Sequence, residues 1–405
     1  MEPKIRYNGY TNKWDDVCLN DIVSTAGIKN RENLPLVSFS ITNDQGFVPQ
    51  DDKFENGGTM RDANKSMYYI VSPKTFAYNP ARINVGSIGY YDLEKDVIIS
   101  SLYVVFKTDQ EKCDDYYFLQ WFKSDKFKRL IEQYQEGGVR LYFFYDKLCK
   151  CHVHIPSKEE QHKISSYFRV LDFKLQASAK KLESLKKLKS ASLVAMFPQN
   201  GESTPKVRFK GFEGEWKETT LSECLDISYL QNSENKYDKN DVLSVSDDFG
   251  VMNQIELLGR SYAGKDVSSY SILQKGEIVY TKSPLKDKPF GIIKKNSYQT
   301  GIVSILYAVY HSKDNISADY IHYYFDPAWR LNAYMRPLVN KGAKNTMNIS
   351  DEMALMGSLI LPPSLAEQQA IATFFRSLDR KIALETARLE KLKQIKLACL
   401  DKMFV

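Results

Sequence analysis

Residues 156–197 read PSKEEQHKISSYFRVLDFKLQASAKKLESLKKLKSASLVAMF, and residues 363–404 read PSLAEQQAIATFFRSLDRKIALETARLEKLKQIKLACLDKMF. The two stretches align without a gap, and 19 of the 42 aligned residues are identical. Each begins with a proline and the pattern S-x-x-E, a capping box that marks the start of a helix. Each then carries an apolar residue every three or four positions. This spacing predicts a long amphipathic helix in each half of the chain.

The apolar positions form a stripe along each predicted helix, interrupted at equivalent places by Ser178 and Glu385. A single helix of this length cannot bury its own stripe, so we expect the two helices to pack on each other. The favoured arrangement is an antiparallel coiled coil, and two separate helices, each on its own lobe, are the alternative. The residues expected to form the packing surface are Ile164, Phe168, Leu171, Leu175, Leu182 and Leu185 with Ile371, Phe375, Leu378, Ile382, Leu389 and Leu392.

A second, shorter repeat opens each half of the chain. Residues 3–14 read PKIRYNGYTNKW, and residues 205–216 read PKVRFKGFEGEW. Two repeats in the same order predict a tandem duplication with pseudo-twofold symmetry. We expect a first lobe at 1–155, a helix and linker at 156–204, a second lobe at 205–362 and a second helix at 363–405.

Between the repeats, the two lobes differ greatly in sequence and combine strand-like and helical segments. Runs such as 97–106 and 302–306 are rich in β-branched and aromatic residues, which indicates strands. Aromatic-rich stretches around 115–133 and 319–335 indicate helices. The predicted fold class is therefore α+β, with mixed α/β lobes joined by two long helices.

Composition narrows the class of protein. The 405 residues carry a formal net charge of +6, which favours a polyanionic partner without requiring one. The chain has no run of about 18 apolar residues and no signal-peptide pattern at its start, so we expect no membrane span. Its 6 cysteines do not suggest a disulfide framework in a chain of this size, and we expect a reduced, cytoplasmic protein.

Motifs for catalysis and metal binding are weak. The segment Asp326-Pro327-Ala328-Trp329 resembles the D-P-P-[YFW] tetrapeptide of amino-methyltransferases, but no glycine-rich loop for S-adenosylmethionine accompanies it. The cluster of cysteine and histidine at 149–154 is better explained by a buried strand in which Cys149, Cys151 and Val153 share a face. There is no P-loop for ATP. We predict no catalytic site, no metal site and no bound cofactor.

Basic and amide side chains in polar loops are the remaining signal, because such side chains bind phosphates and base edges. The loop after Tyr78 in the first lobe and the loop after Thr281 in the second occupy corresponding places in the duplication. The predicted DNA-binding residues are Arg61, Lys65, Arg82, Asn84 and Arg140 in the first lobe and Lys282, Lys286, Lys288, Lys341, Lys344 and Asn345 in the second.

These features resemble the specificity subunit of type I restriction–modification enzymes. The resemblance covers essentially the whole chain. It lies in the P-x-[IV]-R-[FY]-x-G-[FY]-x-x-x-W opening of each half, the segment Y-N-P-x-R-x-N-x-G-S-I-G at 78–89, and the E-Q…L-D helices that end in M-F. The second lobe departs from the N-P-x-R-x-N pattern, with Lys282-Ser283-Pro284 in its place.

The resemblance implies that each lobe is a target-recognition domain reading one half of a bipartite site in double-stranded DNA. The helices would set the gap between the half-sites and dock two methyltransferase subunits, which bind S-adenosylmethionine. Restriction and translocase subunits that use ATP and Mg²⁺ would join this complex. The chain itself would be non-catalytic. The alternatives are a non-specific assembly scaffold and a stand-alone DNA methyltransferase.

Overall fold

The computed structural model describes residues 2–50, 64–199, 201–285, 288–341 and 347–405. The chain divides into two compact units, one of Met1–Lys180 with Thr386–Val405 and the other of Lys181–Glu385. Each unit therefore combines one lobe with the beginning of one long helix and the end of the other.

The first unit contains a mixture of short strands and helices before the first long helix. They are β1 (Asp15–Cys18), β2 (Val23–Thr25), β3 (Ile28–Lys29), β4 (Ser38–Thr42), β5 (Gly46–Pro49), β6 (Tyr69–Val71), β7 (Thr75–Tyr78), β8 (Ile88–Tyr91), β9 (Val97–Ile99), β10 (Val104–Thr108), α1 (Asp115–Trp121), α2 (Asp125–Tyr134), α3 (Tyr145–Cys149), β11 (His152–Ile155) and α4 (Lys158–Ala195), the last of which continues into the second unit.

Two sheets form the lobe of the first unit. One is antiparallel with the strand order β2-β10-β7-β8, and the other has the order β3-β6-β9-β4-β5 with β4 and β9 parallel. Strand β1 pairs with β11, which ends just before α4, so the first strand of the lobe lies beside the start of the long helix.

The second unit repeats this organisation after the end of α4. Its elements are β12 (Lys217–Thr220), α5 (Leu221–Cys224), β13 (Leu225–Ile227), β14 (Leu243–Ser246), β15 (Gly250–Asn253), α6 (Gln254–Leu258), β16 (Ser271–Leu273), β17 (Ile278–Thr281), β18 (Ile293–Lys295), β19 (Gly301–Val303), β20 (Tyr307–Ser312), α7 (Ala318–Phe325), α8 (Ala328–Met335), β21 (Asn340–Lys341), β22 (Met347–Asn348), β23 (Ser358–Leu361) and α9 (Leu365–Lys402), which continues into the first unit.

The strand order of the second lobe matches that of the first. Its four-stranded sheet has the order β13-β20-β17-β18, and β12 pairs with β23 just before α9. The pairs β14-β15 and β16-β19 correspond to β4-β5 and β6-β9. Two lobes with little sequence in common thus share one topology, which confirms the predicted duplication and the mixed α/β class.

Each lobe core includes the last residues of the long helix that begins in the other half of the sequence. In the first unit, Phe404 at the end of α9 stacks on Phe168 of α4 with ring centroids 5.8 Å apart, and both rings are fully or almost fully buried. In the second unit, Phe197 at the end of α4 stacks on Phe375 of α9 at 5.9 Å. The M-F ends of the repeat are core residues of the lobes.

Within each unit the two helix segments run antiparallel. In the first, the Lys396 ammonium lies 2.5 Å from Asp172, and the Tyr167 hydroxyl lies 3.4 Å from the Cys399 sulfur. In the second unit, Lys189 pairs with Asp379 at 2.8 Å, and Lys181 pairs with Glu385 at 2.9 Å. In both units the residue numbers increase along one segment while they decrease along the other. A coiled coil over the whole helix length stays a prediction.

The helices begin close to where the sequence predicts, but their capping boxes are only half formed. The amide nitrogen of Glu160 donates to the Ser157 hydroxyl at 3.4 Å, and that of Glu367 donates to Ser364 at 3.2 Å. The glutamate carboxylates do not complete the box, because each is engaged by an arginine instead.

The structure corrects several predicted boundaries. The aromatic stretches 115–133 and 319–335 are each two short helices, α1 with α2 and α7 with α8, and not one. Cys149 ends helix α3 and strand β11 begins only at His152, so Cys149 and Cys151 do not belong to the strand as predicted. No described helix is long and apolar enough to cross a membrane.

Candidate nucleic-acid interface

The loop between β7 and β8 holds Arg82 and Asn84 in an ordered turn. Its first residue, Asn79, accepts a hydrogen bond from the Ala81 amide on its side-chain oxygen at 3.0 Å and donates its own amide to the Ser87 carbonyl at 3.1 Å. A 3₁₀ turn over Ile83–Val85 follows and buries Ile83. Arg82 and Asn84 are exposed on this turn, where side chains can reach a partner without rearrangement of the backbone.

Two glycines in the same segment let the β4–β5 hairpin lie directly against it. A Cβ atom at Gly89 would lie 2.9 Å from the Phe47 ring and 3.2 Å from the Gly46 Cα. Gly86 has φ +90°, which favours glycine, and the neighbouring Ser87 hydroxyl donates to the Ile41 carbonyl at 3.3 Å. The G-S-I-G part of the motif therefore forms the surface against which the β4–β5 hairpin packs.

The loop between α2 and α3 contacts the loop between β7 and β8. The Phe143 amide donates to the Pro80 carbonyl at 3.0 Å, and Glu136 pairs with Tyr142 to close a short turn that contains Arg140. Arg140 is exposed. The structure thus brings the loops bearing Arg82, Asn84 and Arg140 next to each other.

The remaining predicted residues of the first lobe lie elsewhere or outside the described residues. Lys65 precedes β6, where its amide nitrogen donates to the Asn33 side chain at 3.0 Å, and no contact joins it to the loop of Arg82 in the described part of the lobe. Arg61 is outside the described residues. Their role in DNA binding stays a prediction.

The corresponding loop of the second lobe follows β17 and presents its lysines differently. The Lys282 ammonium pairs with Asp351 at 2.7 Å, and the Lys288 ammonium pairs with Asp247 at 2.6 Å. Both side chains are largely buried, with 21% and 12% exposed. Because these ammonium groups already have carboxylate partners, they offer less charge to a phosphate than an exposed lysine does.

The structure describes no side chain for the other predicted residues of the second lobe. Lys341 belongs to β21, and Lys286, Lys344 and Asn345 are outside the described residues. Their DNA contacts stay predictions.

Sequence reasoning missed a buried ion-pair cluster behind this loop. One oxygen of Asp326 lies 2.8 Å from the Lys294 ammonium, and the other lies 3.1 Å from Lys189. Burial alone would raise the pKa of Asp326, but the two lysines lower it well below its usual value. Burial, together with Lys294, lowers the pKa of the adjacent His322 to about 4. The only signal in the sequence was the segment that begins at Asp326.

That segment performs a structural task. Both carboxylate oxygens of Asp326 are paired, Pro327 precedes the first turn of α8, and the Arg330 guanidinium lies over the Trp329 ring at 4.7 Å. The tetrapeptide thus marks the break between α7 and α8.

The two repeated motifs of the sequence meet at the start of each long helix. Arg6 donates two hydrogen bonds to the Glu160 carboxylate, both at 2.8 Å. Arg208 does the same to Glu367 at 2.7 and 2.8 Å. Both glutamate side chains are only 1% exposed. The P-K-[IV]-R and E-Q motifs are therefore two sides of one buried contact in each unit.

The glutamine of each E-Q motif secures the aromatic helix of its lobe. The Gln161 side chain accepts from the Asp114 amide, the residue before α1, at 2.9 Å. Gln368 accepts from the equivalent Ser317 amide before α7 at 2.8 Å. The L-D motifs act similarly, because Asp172 accepts from the Tyr116 hydroxyl at 2.6 Å. These residues orient each lobe on its helix and are not free for DNA.

The predicted packing stripe divides into two classes. The residues near the start of each helix lie in the lobe cores and are at most 5% exposed: Ile164, Phe168, Leu171, Ile371, Phe375 and Leu378. The residues further along are partly exposed: Leu175, Leu182, Leu185, Ile382, Leu389 and Leu392. The starts of the helices thus contribute more to the lobes than the coiled-coil prediction implies.

Cysteine and metal chemistry receive no support within the described ranges. No group of three or more histidine, cysteine or acidic side chains in those ranges could hold a metal ion. Burial raises the pKa of the Cys151 thiol to about 12, which makes it a poor nucleophile and a poor ligand.

Comparisons with known proteins agree with this architecture. A solved structure described as the type-I restriction-modification system S subunit from M. genitalium matches with a TM-score of 0.62 and 15% identity, over 100% of this chain and 99% of that one. The HsdS subunit from Thermoanaerobacter tengcongensis matches with a TM-score of 0.45 and 16% identity, over 97% and 96%. At 15% identity, the likeness to the M. genitalium structure shows the fold alone. No curated protein sequence gives a significant match.

The family comparison is decisive. The model of the type I restriction modification DNA specificity domain matches residues 12–187 and again residues 213–394. The two matches cover most of the chain and coincide with the duplicated halves. The chain therefore belongs to the family of type I restriction–modification DNA specificity proteins, with one copy of the domain in each half.

Proposed function

We propose that each lobe reads one half of a bipartite site in double-stranded DNA and that α4 and α9 set the gap between the halves. The lobes are proposed to span 1–155 and 205–362, with the helices and linker at 156–204 and 363–405. The observation that supports this best is the repeated loop between the third and fourth strands of the same four-stranded sheet in both lobes.

The first lobe has the better-defined candidate DNA-binding loop, because its predicted side chains are exposed on an ordered turn. Arg82 can donate two hydrogen bonds to a guanine edge, and Asn84 can donate one to adenine N7 while it accepts one from the adenine N6 amino group. A loop that is already ordered loses little conformational entropy on binding. Arg140, on the neighbouring turn, suits a phosphate contact that fixes the register.

The chain acts with partner subunits and performs no catalysis itself. Two methyltransferase subunits dock on the helices and supply the S-adenosylmethionine chemistry, and restriction and translocase subunits supply the ATP- and Mg²⁺-dependent steps. Exposed apolar residues on the helices, such as Val170 and Phe173, with 53% and 71% exposure, suit a docking surface.

The test is to co-express the chain with its methyltransferase subunit and to map methylated bases genome-wide by single-molecule sequencing. We expect a split motif with a fixed gap. Exchange of one lobe for that of another family member should change one half of the motif and leave the other intact.

The alternatives predict different results. A scaffold forms the complex but produces no sequence preference, and a stand-alone methyltransferase binds S-adenosylmethionine and methylates DNA without any partner. Either result would reject the proposal.

A further inference from the structure

A continuous series of ion pairs crosses the second unit from a hairpin turn to the long helix. Asp247, in the turn between β14 and β15, lies 3.3 Å from the Lys294 ammonium of β18. Lys294 pairs with Asp326 at 2.8 Å, Asp326 with Lys189 of α4 at 3.1 Å, and Lys189 with Asp379 of α9 at 2.8 Å. We call these five residues the charge series.

The centre of the charge series is buried. The side chains of Lys294 and Asp326 are only 5% and 16% exposed, whereas Asp247 at the outer end is 41% exposed. A buried charge is tolerated only when it is paired, so the positions of these groups depend on one another. Displacement of one member therefore removes an ion pair from each of its neighbours in the series.

The charge series also reaches the candidate DNA-binding loop. The Lys288 ammonium donates to Asp247 at 2.6 Å and to the Asp326 carbonyl at 3.2 Å. The loop after β17, the hairpin turn and the end of α7 therefore share one set of charges with α4.

The first lobe makes the equivalent connection without charge. Gly89 of β8 pairs with Ala77 of β7, as Lys294 of β18 pairs with Val279 of β17. At this matched position Gly89 contacts the β4–β5 hairpin through backbone packing, while Lys294 contacts the β14–β15 hairpin through an ion pair. Both lobes thus attach the hairpin to the fourth strand of the sheet, one by backbone packing and the other by an ion pair. This indicates that the position of the hairpin is the shared feature, whichever interaction holds it.

We propose that Lys294 and Asp326 are positioning residues that hold the hairpin turn and Lys288 of the second lobe in one geometry relative to α4. This rests on the proposed function, because that geometry matters through the half-site that the second lobe reads. Reading base edges requires side chains placed within a fraction of an ångström, so a loosened hairpin should lose discrimination before it loses general affinity.

The experiment uses the full chain in complex with its methyltransferase subunit, on DNA carrying the bipartite site found for the unchanged protein. The readout is the ratio of methylation rates on the intact site and on sites with one substituted base pair, measured separately for each half. We expect Lys294→Met to reduce discrimination at the second lobe's half-site by about tenfold or more. Discrimination at the other half-site should be unchanged and serves as an internal control.

Companion variants separate positioning from folding. Lys294→Arg keeps the charge and should retain discrimination within about threefold of the unchanged protein. Asp247→Asn acts at the exposed end, where folding is preserved, and should lower discrimination in the same half-site. Lys313→Met removes a lysine of the same unit that pairs with Asp226 at 3.4 Å outside the charge series, and it should have no effect.

Equal loss at both half-sites, or full discrimination in both Lys294→Met and Asp247→Asn, would overturn the inference. A chain that yields no split motif even when unchanged rejects the proposed function instead, and the inference with it.

Discussion

Arg6 and Glu160 are separated by more than 150 positions in the sequence but form one contact with two hydrogen bonds. Because Glu160 is buried, removal of its partner leaves a carboxylate that neither water nor another cation can reach without rearrangement. The repeated motifs that identify the family are thus explained by stability, since each half needs the contact to attach its lobe to its helix.

We expect Arg6→Ala to lower the free energy of unfolding by about 2–4 kcal/mol, and Arg6→Lys by less, because one ammonium cannot replace the paired donors of a guanidinium. Urea denaturation followed by circular dichroism measures both. The control is Lys112→Ala, which removes an exposed pair with Asp109 and should change stability by about 0.5 kcal/mol or less. A loss in Arg6→Ala no greater than in this control would contradict the argument.

His322 makes the second lobe sensitive to acid. Its pKa is lowered to about 4, from burial and then from Lys294, so the folded state does not bind a proton that the unfolded state binds below about pH 6.5. Stability should therefore fall as the pH decreases from about 6.5 to about 4, by roughly 2–3 kcal/mol in total.

The first lobe suggests the variant that tests this. Leu119 of α1 occupies the position that corresponds to His322 of α7, so His322→Leu should fold and should flatten the pH dependence of unfolding across this interval. Urea titrations at several pH values measure the slope. An unchanged slope in His322→Leu would show that another group causes the acid sensitivity.

At the scale of elements, local patterns predicted the long helices well, because their period repeats over many turns and their caps are short-range signals. The sequence also predicted the duplicated loops and their topological match. It did not predict the partners of Lys282 and Lys288, since Asp351 and Asp247 come from distant segments and only the folded chain brings them together. The sequence did not predict the ion pair of Glu160 for the same reason. Its partner Arg6 is distant in the sequence and binds the carboxylate that would otherwise complete the capping box.

The paired helices give a prediction about the gap in the DNA site. Insertion of one heptad after Ser178 and one after Glu385, which are equivalent positions, adds about 10 Å to each helix and preserves the apolar stripe. We expect the gap to lengthen by about one to three base pairs at 3.4 Å each, with both half-sequences unchanged.

Methylation mapping of the lengthened chain gives the new motif directly. The matched control lengthens α4 alone, which puts the Lys189–Asp379 pair out of register with the Asp172–Lys396 pair, so that both cannot form, and should prevent methylation. An unchanged gap in the double insertion would refute the idea that the helices measure the distance.

For the whole molecule, the end of a long helix contacts the first residues of a lobe in the same way in both units. In only one unit are these two segments consecutive in the sequence. In the second unit the Val207 amide donates to the Ala195 carbonyl at 2.9 Å, and residues 196–206 link the two directly. In the first unit the Ile5 amide donates to the Lys402 carbonyl at 3.0 Å without any such link. The contact therefore forms with or without a covalent connection.

This equivalence predicts that the chain tolerates circular permutation. A copy of residues 198–204 placed between Phe404 and Pro3 would reproduce the natural linker, and the new ends would open at Gly201. We expect the free energy of unfolding of the permuted chain to lie within about 1 kcal/mol of that of the original chain. The permuted chain should also direct methylation to the same split motif, because neither a lobe core nor a helix is cut. A permutant opened between Val105 and Phe106, inside the buried strand β10, should fail to fold. Equal failure of both permutants would show that the covalent order of the halves, and not the contacts within each unit, determines the fold.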